Sequence, residues 1–180
     1  MMRQRFESAL PFTAFLESVV ANAALWRDAY RLARVPVEAV ARLAAIPGRW
    51  HLLVMAEDWC GDAVNILPLL ARLAEQAPNV ELRVVGREDN ADLMEAHLTN
   101  GSRSIPVVMV LDEDYQERAW WGPRPSALQQ WVMDEGMELE KGERYRRVRT
   151  WYARDRGRTI VDEVIDVVTR AAGDVDATAA

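Results

Sequence analysis

Hydrophobic positions alternate between two periods along this chain. Phe12, Phe15, Leu16, Val19, Ala23, Trp26 and Tyr30 recur every three or four residues. That spacing predicts one amphipathic helix from about Pro11 to Ala33. Pro36 restarts the chain, and Val37 to Ile46 reads as a shorter helix ended by Pro47 and Gly48. Trp50 to Ala56 is apolar apart from His51, as a buried strand is. Gly61 to Gln76 returns to helical spacing, with Ile66, Leu69, Leu70, Leu73 and Ala74 on one side. Val80 to Val85 alternates apolar and charged residues, the pattern of a strand with one wet face. Asn90 to Leu98 predicts a helix, and Val107 to Leu111 an apolar strand. Asp112 to Asp114 predicts a turn, and Tyr115 to Trp121 a returning strand. Ser126 is placed to cap a helix ending near Glu135.

From Trp50 the order is β-α-β-α-β-β-α. Two strands flanking a helix are parallel, and two joined by a short turn form an antiparallel hairpin. The expected fold class is α/β, a central four-stranded mixed sheet flanked by helices. Further stripes lie outside it. Tyr145 to Tyr152 is rich in arginine, and Ile160, Val161, Val164, Ile165 and Val168 form an apolar face. The expected organisation is an N-terminal helical extension over 1–49 and a core over 50–140. An arginine-rich helical extension over 141–172 and a frayed tail over 173–180 follow.

Composition narrows the functional classes. The chain has 180 residues, half of them hydrophobic, and a net charge of -6. That length suits about one domain, and an acidic surface has no general attraction for nucleic acid. Lys141 to Arg158 is the exception, with eight basic residues against Glu143 and Asp155. A solvated helix whose arginines pair with the acidic core explains this better than nucleic-acid binding. No secretory leader or membrane span is expected, because Glu17 and Asn22 interrupt the first apolar stretch. One cysteine excludes an intrachain disulfide. A reducing cytoplasm is the default location. His51 and His97 have no second cysteine to complete a metal set, so no metal or other cofactor is expected.

The candidate chemistry lies in Glu57-Asp58-Trp59-Cys60-Gly61-Asp62-Ala63, between the first core strand and its helix. A cysteine at a helix N-terminus meets unpaired N–H groups and the positive end of the helix dipole. Both favour the thiolate, the reactive form of a thiol that otherwise titrates near ~8.5. Asp58 and Asp62 set two carboxylates close in sequence and oppose it.

Trp59-Cys60-Gly61 resembles the WCGPC motif of thioredoxins. Pro68 stands eight residues after the cysteine, where thioredoxins have a helix-kinking proline. Gly101-Ser102-Arg103-Ser104-Ile105-Pro106 resembles their GIRGIP loop, and Trp120-Trp121-Gly122 falls near the glycine that closes their last strand. The resemblance spans about Trp50 to Glu135. It also extends to a poorly characterised group of bacterial thioredoxin-like proteins with a WCGD-type motif and flanking helical extensions.

The resemblance implies a thioredoxin fold with Cys60 as the catalytic residue. It implies a groove formed by Trp59, Gly61, Asp62, Arg103, Ser104, Ile105 and Pro106. It also implies a cis Ile105–Pro106 peptide beside the sulfur. Two departures bear on function. The second motif cysteine is Ala63, and the buried aspartate of thioredoxins falls on Val54. The resolving thiol and the group that takes its proton are therefore both replaced. Two readings stay open. Cys60 exchanges with a protein or low-molecular-weight thiol as a monothiol; or the groove at Trp59, Cys60 and Pro106 holds an extended peptide or partner protein without turnover. For Cys60 taken alone, the plainer alternative is a buried small hydrophobe. The apolar stripes of the two extensions also allow a homodimer.

Overall fold

The computed structural model describes residues 2–179, with side chains through residue 175. Helices α1 (Met2–Ser8), α2 (Phe12–Ser18), α3 (Ala23–Leu32) and α4 (Val37–Ala44) precede the core, with strand β1 (Leu10–Pro11) among them. The core runs β2 (Trp50–Met55), α5 (Gly61–Gln76), β3 (Val80–Val85), α6 (Ala91–Ala96), β4 (Val107–Leu111), β5 (Glu117–Trp121) and α7 (Ser126–Asp134). Helices α8 (Lys141–Asp155) and α9 (Arg158–Ala179) follow.

The sheet order is β1-β3-β2-β4-β5. All of β2 and β4 is buried, which is why both read as apolar runs rather than alternating ones. β2 pairs parallel with β3 and antiparallel with β4, and β4 pairs antiparallel with β5. The thioredoxin fold, with helical extensions, is therefore the architecture, and the α-helix after β2 opens at Cys60.

The sheet has five strands, not four. β1 adds an antiparallel edge to β3, pairing Leu10 with Val84 and Pro11 with Arg83. Two residues are too few to show alternation, and proline suits an edge because it has no N–H to donate.

The first amphipathic stripe is not one helix. It breaks over residues 19–22, with Val19 extended and Asn22 left-handed at φ 58°. The periodicity persists across the break because Phe12, Phe15, Val19 and Trp26 all enter the core. α1 is also new relative to the sequence reading; its Phe6 is buried edge-on against His51 at 4.9 Å.

Two further differences concern helix ends. Ser126 does not cap α7: Pro125 holds that position, and the Ser126 N–H and hydroxyl both donate to Glu163 of α9. The backbone of 173–179 continues α9, while Ala180 lies outside the described residues. α9 packs on α4, α5, β4 and β5 and buries Ile160, Val161, Val164, Ile165 and Val168. Among the described residues no helix is long and apolar enough to cross a membrane.

Candidate functional site

Cys60 is the N-cap of α5. The Ala63 N–H donates to its Sγ at 3.4 Å, satisfying one of the donors that a helix start leaves open. The Sγ–H donates in turn to the Ile105 carbonyl at 3.5 Å. The Ile105–Pro106 peptide is cis. The loop before β4 and the turn after β2 thus meet at the sulfur. Cys60 is only 6% exposed. Burial pushes its pKa up first; the Asp62 carboxylate adds to the rise, while the Ala63 N–H and the Arg124 guanidinium act against it. The helix terminus does not win over desolvation here.

The two neighbouring carboxylates part company. Asp58 turns away from the sulfur and accepts the Val20 and Ala21 N–H groups at 2.9 and 2.8 Å. Its carbonyl accepts the Trp26 indole N–H at 2.8 Å. Asp58 therefore ties the motif to the break between α2 and α3. Asp62 is buried, and its carboxylate accepts from Arg124 at 2.6 Å and from the Tyr152 hydroxyl at 2.9 Å. Burial, and then the Asp62 charge beside it, drives the Tyr152 phenol pKa far up, so Tyr152 stays a donor.

The other expected groove residues are spread around this centre. Trp59 is 52% exposed, with the Arg87 guanidinium 5.2 Å from its ring centre. Arg87 also donates to the Arg103 carbonyl at 3.1 Å, linking the Trp59 side to the loop before β4. Gly61 opens α5 with open space where a side chain would stand. The Arg103 side chain pairs with Glu95 at 3.4 Å. The Ser104 N–H donates to the Ser102 carbonyl at 2.8 Å, which turns the loop toward Ile105. Pro106 is buried. The structure thus brings Cys60, Asp62 and Ile105 together and leaves Trp59 and Arg103 on the rim. Among the described residues no group of three His, Cys, Asp or Glu side chains is placed to hold a metal ion.

Sequence reasoning missed Arg124 and Tyr152. They lie 62 and 90 residues from Asp62, Tyr152 inside the arginine-rich helix. The available signal was the Asp62 position itself: a carboxylate entering a buried helix start needs a cationic or hydroxyl partner.

The comparisons agree with this architecture. A family model described as Thioredoxin matches residues 9–141. A crystal structure of PA1234, a protein of unknown function from Pseudomonas aeruginosa, is similar at TM-score 0.72 and 25% identity, covering 92% of this chain and 95% of that one. A crystal structure of an HIV epitope-scaffold is similar at TM-score 0.71 and 22% identity, covering 92% and 96%. No curated protein matches the chain. With the family match reaching from the first edge strand to the start of α8, the chain belongs to the thioredoxin family.

Proposed function

We propose that this is a single-thiol thioredoxin-like protein whose Cys60 exchanges with the disulfide of a protein or low-molecular-weight thiol, and that it is not a dithiol disulfide reductase. The observation that carries this reading is the position of the lone sulfur at the start of α5, accepting the Ala63 N–H, with a methyl group at residue 63 where a resolving thiol would stand. In the step, the Cys60 thiol gives its proton to solvent. The thiolate attacks one sulfur of the partner disulfide, and the other sulfur leaves as a thiolate that takes up a proton. A second, external thiol then attacks the mixed disulfide, takes the partner sulfur into a new disulfide and restores the Cys60 thiol. The reading includes a cytoplasmic setting, where a lone thiol stays reduced.

A second reading has its own support. The 6% exposure of Cys60 and its pKa raised by burial favour a binding module, in which the groove holds an extended peptide and the thiol does not turn over. One experiment separates them. The protein is incubated with 2-hydroxyethyl disulfide at pH 7 and pH 9.5, and the mass of the intact chain is measured. The monothiol reading expects a single adduct on Cys60, faster at the higher pH and removed by added thiol. An unmodified chain at both pH values refutes it and leaves the binding module.

A further inference from the structure

Beside the Cys60 centre, the 99–104 loop, α7 and α8 enclose a cavity of about 220 Å³. Its polar wall includes Thr99, Ser102, Ser104, Arg124, Arg144 and Tyr145, with Met133 and Val148 on the apolar side. Among the described residues no carboxylate lines it. Arg124 is neutralised by Asp62, but among the described residues Arg144 has no such counter-charge. Among the described residues its polar partners are the Gly136 carbonyl at 3.4 Å and the Met137 sulfur at 3.6 Å. The Lys141 ammonium stands 5.9 Å from the Tyr145 ring and adds positive charge near the same rim. The chain as a whole is acidic, at -6, so an acid-free pocket with an unmatched arginine departs from its surroundings.

A second observation points the same way. Three buried side-chain polar atoms lack a hydrogen-bond partner among the described residues, and two of them, Thr99 Oγ1 and Arg124 Nε, belong to residues of this wall. Buried donors and acceptors are ordinarily paired, and an unmatched cation with free hydroxyls beside it suits an anion with acceptor oxygens. The larger cavity, about 520 Å³ and bordered by β5 and α9, does not compare. Its wall carries Glu163 and Asp166, already bonded to Ser126 and Arg42.

We propose that the 220 Å³ cavity binds the carboxylate of a small acidic molecule, with Arg144 as the charge partner and Ser102, Ser104 and Tyr145 as hydroxyl partners. The volume lies below the ~300–1,000 Å³ of drug-sized sites, so the ligand is small. Ser104 adjoins Ile105, whose carbonyl meets Cys60 Sγ. A bound acid therefore meets the groove at Ser104, whether or not Cys60 reacts.

The test is calorimetric titration of the full chain with four probes. N-acetylserine offers the carboxylate without a thiol, and its amide offers the same body without the charge. N-acetylcysteine adds the thiol, and the blocked peptide acetyl-Ala-Glu-Ala-amide offers a carboxylate on a peptide. The expected result is binding of N-acetylserine and N-acetylcysteine, with the amide at least about tenfold weaker. Arg144→Gln weakens the acids about tenfold, and Arg144→Lys keeps part of the affinity. Ser102→Glu, on an exposed loop residue, abolishes binding by placing a carboxylate in the pocket. Equal binding of acid and amide, no binding of either acid, or unchanged affinity in both Arg144→Gln and Ser102→Glu overturns the proposal. Binding of the peptide alone overturns the small-molecule assignment. N-acetylserine has no sulfur, so its result stands apart from the monothiol reading.

Discussion

At Cys60 opposing forces act on one sulfur. The Ala63 N–H and Arg124 favour the thiolate, while burial and Asp62 favour the thiol, and the second pair prevails. The thiol is therefore protonated at neutral pH, and alkylation accelerates only as pH climbs past the ordinary cysteine range of ~8.5. Asp62→Asn removes a negative charge and leaves Arg124 without its counter-ion. Both changes stabilise the thiolate. The midpoint of the iodoacetamide rate against pH is expected to fall; an unmoved or higher midpoint contradicts this account of the charge balance. Tyr152→Phe tests the same carboxylate from the other side. Losing a hydrogen bond to a buried charge is expected to lower unfolding free energy by roughly 1.5–3 kcal/mol in urea melts. Cys60 and Ile105-Pro106 were legible because contiguous motifs carry them. Arg124 and Tyr152 were not, because their link to Asp62 spans 62 and 90 residues and leaves no local pattern.

At the scale of elements, close approaches and end contacts fix how the pieces join. Gly122, just past β5, has φ +130°, and a Cβ there would stand 2.3 Å from the Pro106 carbonyl oxygen. Backbone cannot retreat as a flexible side chain does. Gly122→Ala is expected to destabilise by at least about 2 kcal/mol, from strained φ and overpacking, and to disturb the loop beneath Cys60. A variant with wild-type melting and alkylation rate would show that loop to be more yielding. At the end of α6, buried His97 bonds Glu117 of β5 through Nε2 at 2.6 Å and the Leu93 carbonyl through Nδ1 at 2.7 Å. The Glu117 hydrogen bond is the chief cause of its raised pKa. The stabilisation is thus fully present below the unfolded-state value of ~6.5 and is lost as pH rises through the folded-state pKa. Glu117→Gln should cost more stability at pH 5.5 than at pH 9; an equal loss at both removes the charged histidine from the argument. The strands and α5 were readable from period and punctuation. The break between α2 and α3 was not, since Asp58, 37 and 38 residues away, takes the N–H groups that a continuous helix would use.

For the whole molecule, the helices outside residues 50–140 share the core. Phe6, Trp26, Leu43, Tyr152, Ile160 and Val164 belong to one buried cluster with the sheet. The extensions also meet each other: Arg42 of α4 pairs with Asp162 and Asp166 of α9 at 2.5 and 3.2 Å. The apolar stripes at both ends foretold such packing, but its partners depended on tertiary geometry that periodicity does not encode. The arginine-rich α8 anchors through buried Val148 and Tyr152, while Glu143 pairs with Arg146 and Arg147 on its outer side. Each large side chain that leaves water stabilises the fold by about 1.5–3 kcal/mol. Five from α9 alone, Ile160, Val161, Val164, Ile165 and Val168, equal much of a domain's net stability of roughly 5–15 kcal/mol. Removing residues 141–180 should therefore abolish the cooperative melt rather than trim it. It should also raise the alkylation rate of Cys60, because Asp62 loses Tyr152 and the α5 start loses its cover. Removing residues 1–49 tests the other side, through the N–H groups that hold Asp58 and the indole of Trp26. Circular dichroism melts and iodoacetamide rates on both truncations decide the matter. Either shortened chain melting as sharply and as late as the full one, with an unchanged Cys60 rate, would reduce that extension to an appendage.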